Sequence, residues 1–129
     1  MDKKWAITGI IVVILAIILG AFGAHGLKNL TQDEHILAGF DTATKYQFFG
    51  GLSLLIIPFW VTEYQLKANV VFSLLLAGIV LFSGSIYTLT AAKVHGIPSL
   101  LPIAGPLTPI GGTLMIVAWF ILLVKIFRK

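Results

Sequence analysis

Four stretches of this chain contain no Asp, Glu, Lys or Arg: residues 5–22, 46–61, 68–92 and 109–124. The first holds 18 residues, which at about 1.5 Å per residue reach roughly 27 Å, close to one bilayer hydrocarbon core. A charge at the centre of such a helix costs about 2.5–3.5 kcal/mol on insertion, so four charge-free runs predict four transmembrane spans. The composition agrees. Of 129 residues, 58% are hydrophobic and 11% charged, whereas about a quarter of a soluble domain is charged. A small soluble domain leaves much of its surface wet and could not hide so much apolar area. In a bilayer, lipid solvates the outward faces. The expected fold is all-α: one polytopic membrane domain over 1–129, a four-helix transmembrane bundle with an outer amphipathic helix.

Lys3 and Lys4 ahead of the first run, with Ala21-Phe22-Gly23 after it, have the outline of a signal peptide. The apolar stretch exceeds the usual length of about 7–15 residues, so it is read as a retained helix. The net charge of +4 does not indicate nucleic acid as a partner, because the basic residues flank the apolar runs instead of forming a stripe with interleaved aromatics. They suit anionic headgroups. With four spans, one side carries six basic residues, Lys3, Lys4, Lys67, Lys125, Arg128 and Lys129, and the other carries three, Lys28, Lys45 and Lys93. The positive-inside rule places the six, and both termini, in the cytoplasm, as expected for a multi-pass protein of a bacterial inner membrane. Trp5, Trp60 and Tyr64 would then belong to an inner aromatic belt.

The outer segments are the unusual ones. Thr31-Gln32-Asp33-Glu34 has the spacing of a capping box, with Thr31 as the cap. Ile36, Leu37 and Phe40 then recur at helical spacing opposite Asp33, Asp41 and Lys45, which predicts an amphipathic segment over about 31–45. Residues 96–108 hold Pro98, Pro102 and Pro106 among apolar side chains, a pattern that opposes a regular helix and predicts an interfacial, lid-like or re-entrant loop. Gly20, Ala24, Ser83, Gly84, Ser85, Gly111 and Gly112 are small residues of the kind that bring membrane helices together. Such packing serves either one bundle or a homo-oligomer.

Four ordered blocks carry a family resemblance: Leu-Gly-Ala-Phe-Gly-Ala-His-Gly-Leu over 19–27, the segment 40–47 with its Thr-Ala and Tyr-Gln, Val-Leu-Phe-Ser-Gly-Ser-Ile-Tyr over 80–87, and Leu-Thr-Pro-Ile-Gly-Gly over 107–112. In this order and spacing the chain resembles the domain of unknown function 423 family of small bacterial membrane proteins. The resemblance implies a four-helix inner-membrane protein with a cytoplasmic C-terminus, and no activity. The chain departs from the pattern at Gly50, where members carry a histidine.

No cysteine is present, so thiolate metal sites and cysteine nucleophiles are excluded. His25, His35 and His95 share no helical metal-pair spacing, and no metal or cofactor is expected. Ser83 and Ser85 lack an adjacent base, so no catalytic residue is assigned and an intramembrane enzyme ranks last. Proton-coupled transport normally needs an ionisable group at depth, and the four runs hold none. A small oligomeric transporter or pore lined by Gly, Ser and Thr stays open as an alternative. The leading expectation is a non-enzymatic protein, structural or lipid-binding at the outer leaflet. His25, Lys45, Tyr46, Gln47, Tyr87, Thr88 and Thr108 fall at outer helix ends, where they would either cap the bundle or hold a lipid headgroup.

Overall fold

A backbone in hydrocarbon must close its own hydrogen bonds, and helices do so within one segment. The computed structural model describes residues 3–129 and is helical through most of them. The helices are α1 (Lys3–Ala24), α2 (Gly26–Leu30), α3 (Glu34–Glu63), α4 (Asn69–His95), α5 (Leu101–Ala104) and α6 (Leu107–Phe127), with a 3-10 turn at Pro98–Leu100 before α5. Three segments, Lys3–Ala24, Asn69–His95 and Pro98–Phe127, are long and apolar enough to cross a membrane. The expected second span lies in α3, whose 30 residues reach about 45 Å. Asp41, Lys45, Gln47 and Glu63 dilute the apolar character of α3, so composition does not single it out.

Local chemistry sets the boundaries. The amphipathic segment and the apolar run that follows it are one helix, and its cap is Asp33. The Asp33 carboxylate accepts from the backbone N–H of His35 at 2.9 Å and of Ile36 at 3.4 Å. Thr31 is not that cap. It is the C-cap of α2, and its hydroxyl accepts from the Asp33 N–H at 3.2 Å. An aspartate two residues on is the stronger cap for α3, since its charge also faces the helix dipole. At the other end of α3, Gln65 takes a left-handed φ of 50° and the Leu66 N–H reaches the Val61 carbonyl at 2.8 Å. Gly96 ends α4 in the same way, with φ of 66° and the Ile97 N–H on the Ala92 carbonyl at 2.8 Å. Both are the left-handed caps that satisfy terminal carbonyls, and the one at Gly96 uses the residue that tolerates positive φ.

The proline-rich segment forms no continuous helix, but it is ordered into short helical turns. Pro98 and Pro102 occupy the first turns of the 3-10 turn and of α5, and Pro106 is the N-cap of α6. A first-turn N–H has no intrahelical partner, so proline there removes nothing. Pro58 is the interior exception, within α3.

In space α1 packs on α3, α3 on α4, and α4 on α6. Glycines set the two outer seams. A Cβ on Gly9 would lie 2.9 Å from the Gly51 carbonyl oxygen, and one on Gly78 would lie 2.8 Å from that of Gly111. Neither pair could cross so closely with side chains between the backbones. Among the small residues picked out from sequence, Gly111 belongs to this set. Gly20 and Gly84 have open space where a Cβ would sit, and Ala24 is exposed. Gly112 makes ordinary contact with the Phe82 ring. Ser83 and Ser85 are buried and bond across helices. Trp5, placed in an aromatic belt by its position, instead stacks on Phe72 at 4.7 Å and is buried with Leu54, Ile57, Val71 and Leu75. Trp60 and Tyr64 are exposed.

Candidate functional site

Two ends can be distinguished by content. One, the terminal end, holds residue 3, the α3–α4 turn and the C-terminus. The other, the proline end, holds α2, the start of α3, the end of α4 and α5. The seven polar residues expected to converge at the proline end are divided between separate sets of partners. Gln47 is buried on α3, and its amide donates to the Val12 carbonyl of α1 at 3.1 Å and accepts from the Tyr87 hydroxyl of α4 at 2.5 Å. Thr108 of α6 shares a 2.5 Å hydrogen bond with Ser85, whose hydroxyl also donates to the Phe82 carbonyl of its own helix. Ser83 donates to the Ala43 carbonyl at 2.8 Å, across the α3–α4 seam. A polar group in hydrocarbon needs a partner inside the protein, and these bonds supply one.

The remaining members of that set stay local. Lys45 pairs with Asp41 one turn away at 2.7 Å, both side chains well exposed. Thr88 donates back to the Gly84 carbonyl. His25 sits at the α1–α2 junction, exposed, without a side-chain cap bond. The partners of Ser85 and Tyr87 do not include it. Among the described residues no three His, Cys, Asp or Glu side chains gather as a metal set.

The concave features lie along a different seam. α3 and α6 both rest on α4, and between them runs a lateral groove of about 710 Å³. Tyr46, Phe49 and Ser53 form its α3 wall, Phe82 lies on its α4 floor, and Gly112 and Trp119 line its α6 wall. Its volume falls in the range of small-molecule sites. The Tyr46 ring packs edge-on against Phe82 at 5.1 Å and closes the top of the α3 wall. A second hollow, of about 310 Å³, lies between the same helices toward the proline end. It is lined by His35 and Gly39 of α3, Ile86, Thr90 and Lys93 of α4, and Gly105 and Thr108. On α6, Thr108 and Gly112 are one turn apart, and on α4 so are Ile86 and Phe82. One turn is about 5.4 Å, so the two hollows follow one another along a single interhelical seam.

Of the residues picked out from sequence, Tyr46, Thr108 and Gly112 line this seam. His35, Thr90, Lys93 and Trp119 were not recognised as part of it. Their spacing carries a signal: 35, 39, 46, 49 and 53 on α3 recur at helical spacing, as do 93, 90, 86 and 82 on α4. Which helices leave a gap between them is not encoded in any one stripe.

The family model for a protein of unknown function, DUF423, matches residues 19–112. A UPF0382 membrane protein of Staphylococcus aureus is 37% identical over 98% of this chain and 97% of its own. The UPF0382 membrane protein YwdK of Bacillus subtilis is 35% identical over 95% of this chain and 94% of its own. A UPF0382 membrane protein of the yeast Schizosaccharomyces pombe is 40% identical over 92% and 94%, so the relatives extend beyond bacteria. No solved structure matches the chain. With the family model covering most of the chain and relatives aligned almost end to end, this membrane protein belongs to the DUF423 family, that of the UPF0382 membrane proteins.

Proposed function

We propose that the protein is a non-enzymatic, four-span membrane protein that holds the chain of a membrane lipid in the lateral groove between α3 and α6. The groove is the observation that carries this reading. It opens sideways, its walls are almost wholly apolar and aromatic, and a bilayer presents acyl chains to such an opening from every side. Ser53 and Gly112 keep it wide, because either position with a large side chain would fill it. The charge-free spans hold no ionisable group for proton coupling, which favours lipid binding over coupled transport.

In this reading α3 crosses the membrane with α1, α4 and α6. Asp41 and Lys45 pair near its outer third, and the termini lie in the cytoplasm by the asymmetry of six basic residues against three. A C-terminal reporter that is active only outside the cytoplasm would overturn that topology.

The groove is tested by native mass spectrometry of the full chain released from lipid nanodiscs. The wild type is expected to keep bound lipid, and Ser53→Trp to lose it at unchanged helicity. Ser53 is a sound place to insert bulk, since its hydroxyl bonds only to the Phe49 carbonyl of its own helix. Equal retention in both proteins sinks the lipid reading. A dimer mass that disappears in Ser53→Trp would instead make the groove an interface between copies.

A further inference from the structure

We propose that the lipid in the groove is selected for an anionic phosphate headgroup, bound by Lys93, His35 and Thr90 in the hollow at the proline end. The proposal rests on the groove reading above and adds the class of lipid.

The two hollows lie on one seam, and the short one is the more polar of the two. The long one is apolar and sized for a chain. The short one, one helical turn further along α4 and α6, is where a headgroup attached to that chain would arrive. Its lining holds a cation and an imidazole, and no carboxylate. Among the described residues Lys93 has no carboxylate within ion-pair distance, the ion pair at this end being Asp41 with Lys45. Asp33 and Glu34 are the acids nearest in sequence to His35. The Asp33 carboxylate is turned onto the His35 and Ile36 N–H groups, and Glu34 does not line the hollow.

Thr90 supplies an independent observation. It is only 7% exposed, it lines the hollow, and its hydroxyl makes no hydrogen bond among the described residues. Ser83, Ser85, Thr88 and Thr108 all found partners, so a buried threonine left open toward a cavity is an exception here. The threonine is buried as a residue, but its hydroxyl is not among the sealed, unpartnered polar atoms, so the oxygen stays accessible to whatever occupies the hollow. An anionic oxygen in the hollow would accept from it while also accepting from the Lys93 ammonium and the His35 ring N–H. Charge-assisted bonds of this kind are about twice as strong as neutral ones. A choline headgroup has the same phosphate, but its quaternary ammonium would have to share the hollow with Lys93. A phosphate bearing only a neutral polyol has no such penalty.

The test uses the full chain in nanodiscs of equal phosphatidylcholine and phosphatidylglycerol with matched acyl chains, read by native mass spectrometry of the retained lipid. Wild type is expected to retain phosphatidylglycerol in preference. His35→Gln combined with Lys93→Gln should lower that preference by about tenfold while total bound lipid stays near wild type. Lys28→Gln removes the same charge from the same end but lies at a different hollow, between α1, α2 and α3, and should leave the preference intact. Thr90→Val should weaken it in the same direction as the double variant, whereas Thr90→Ser should preserve it. An unchanged preference in the double variant overturns the headgroup proposal and leaves the groove standing. An equal loss in Lys28→Gln also overturns it, since surface charge alone would then explain selection. Loss of all lipid in Ser53→Trp together with no preference in wild type would show a groove that binds chains without reading headgroups.

Discussion

Helix α4 lies at the floor of two seams that end very differently. Against α6 it is closed to backbone contact, with Gly78 and Gly111 facing each other and Met115 laid across them. Between α3 and α6, only a few residues around α6, it is open along an aromatic-walled groove. Both seams are lined by small residues, so small residues alone do not decide whether helices meet. What differs is the neighbour. On the closed seam a glycine faces a glycine on the partner backbone. On the open seam Gly112 faces the Phe82 ring and Ser53 faces space, so the bulky groups hold the walls apart. In hydrocarbon no hydrophobic drive closes such a gap, because lipid fills it as readily as a side chain does.

The sharpest way to break this comparison is Gly111→Ala. Its Cβ would fall against the backbone of Leu81 and Phe82 and within 2.8 Å of the Gly78 carbonyl. Backbone cannot swing aside as a side-chain tip does. A cost of about 1–3 kcal/mol or more is expected, despite the gain of up to about 1 kcal/mol that Ala normally brings to a helix. Thermal unfolding in a mild detergent measures it. If Gly111→Ala matched the wild type, the α4–α6 seam would not be a backbone contact.

A smaller effect is expected at Gln47. Its amide links α1, α3 and α4 through Val12 and Tyr87. Gln47→Leu removes both bonds and leaves the Tyr87 hydroxyl to find another acceptor, for a cost of about 1 kcal/mol. Tyr87→Phe should cost less, since the Val12 bond remains. The double variant separates the pair from the site: costs that simply add would mean the Gln47–Tyr87 bond contributes nothing of its own.

How far the sequence reaches depends on what sets each feature. Charge-free runs are read directly, and three of them coincide with helices fit to span a membrane. The fourth is visible as an apolar run, and it is one helix with the segment from residue 34 because no breaker stands between them; the contest between Asp33 and Thr31 as cap decides only where that helix begins. The proline segment holds no continuous helix, as its prolines dictate, while the short turns between them depend on where each proline falls. At first-turn positions they start helices. The site was least legible. Tyr46 and Thr108, polar residues at helix ends, line the seam, yet Gln47 and Tyr87, which share that description, bond to each other inside the bundle. Which polar group faces a cavity and which a partner depends on how the helices are rotated, and periodicity along one helix does not fix that.

The smallest effect is the most discriminating one, because it falls one residue away from the largest. Gly112→Ala places a Cβ 3.6 Å from the Phe82 ring, an ordinary contact. Neither backbone has to move, and the new methyl takes up little of a groove of about 710 Å³. Stability should match wild type or exceed it by up to about 1 kcal/mol, the helix preference for Ala over Gly, and bound lipid should be kept. Gly112→Phe, in contrast, should keep the fold and lose the lipid. The two adjacent glycines are thus expected to separate two properties: substitution at Gly111 harms assembly, and bulk at Gly112 harms occupancy. If Gly112→Ala proved as damaging as Gly111→Ala, the α6 face would be turned from the position described, with Gly112 also on a closed seam and the groove narrower than a lipid chain requires.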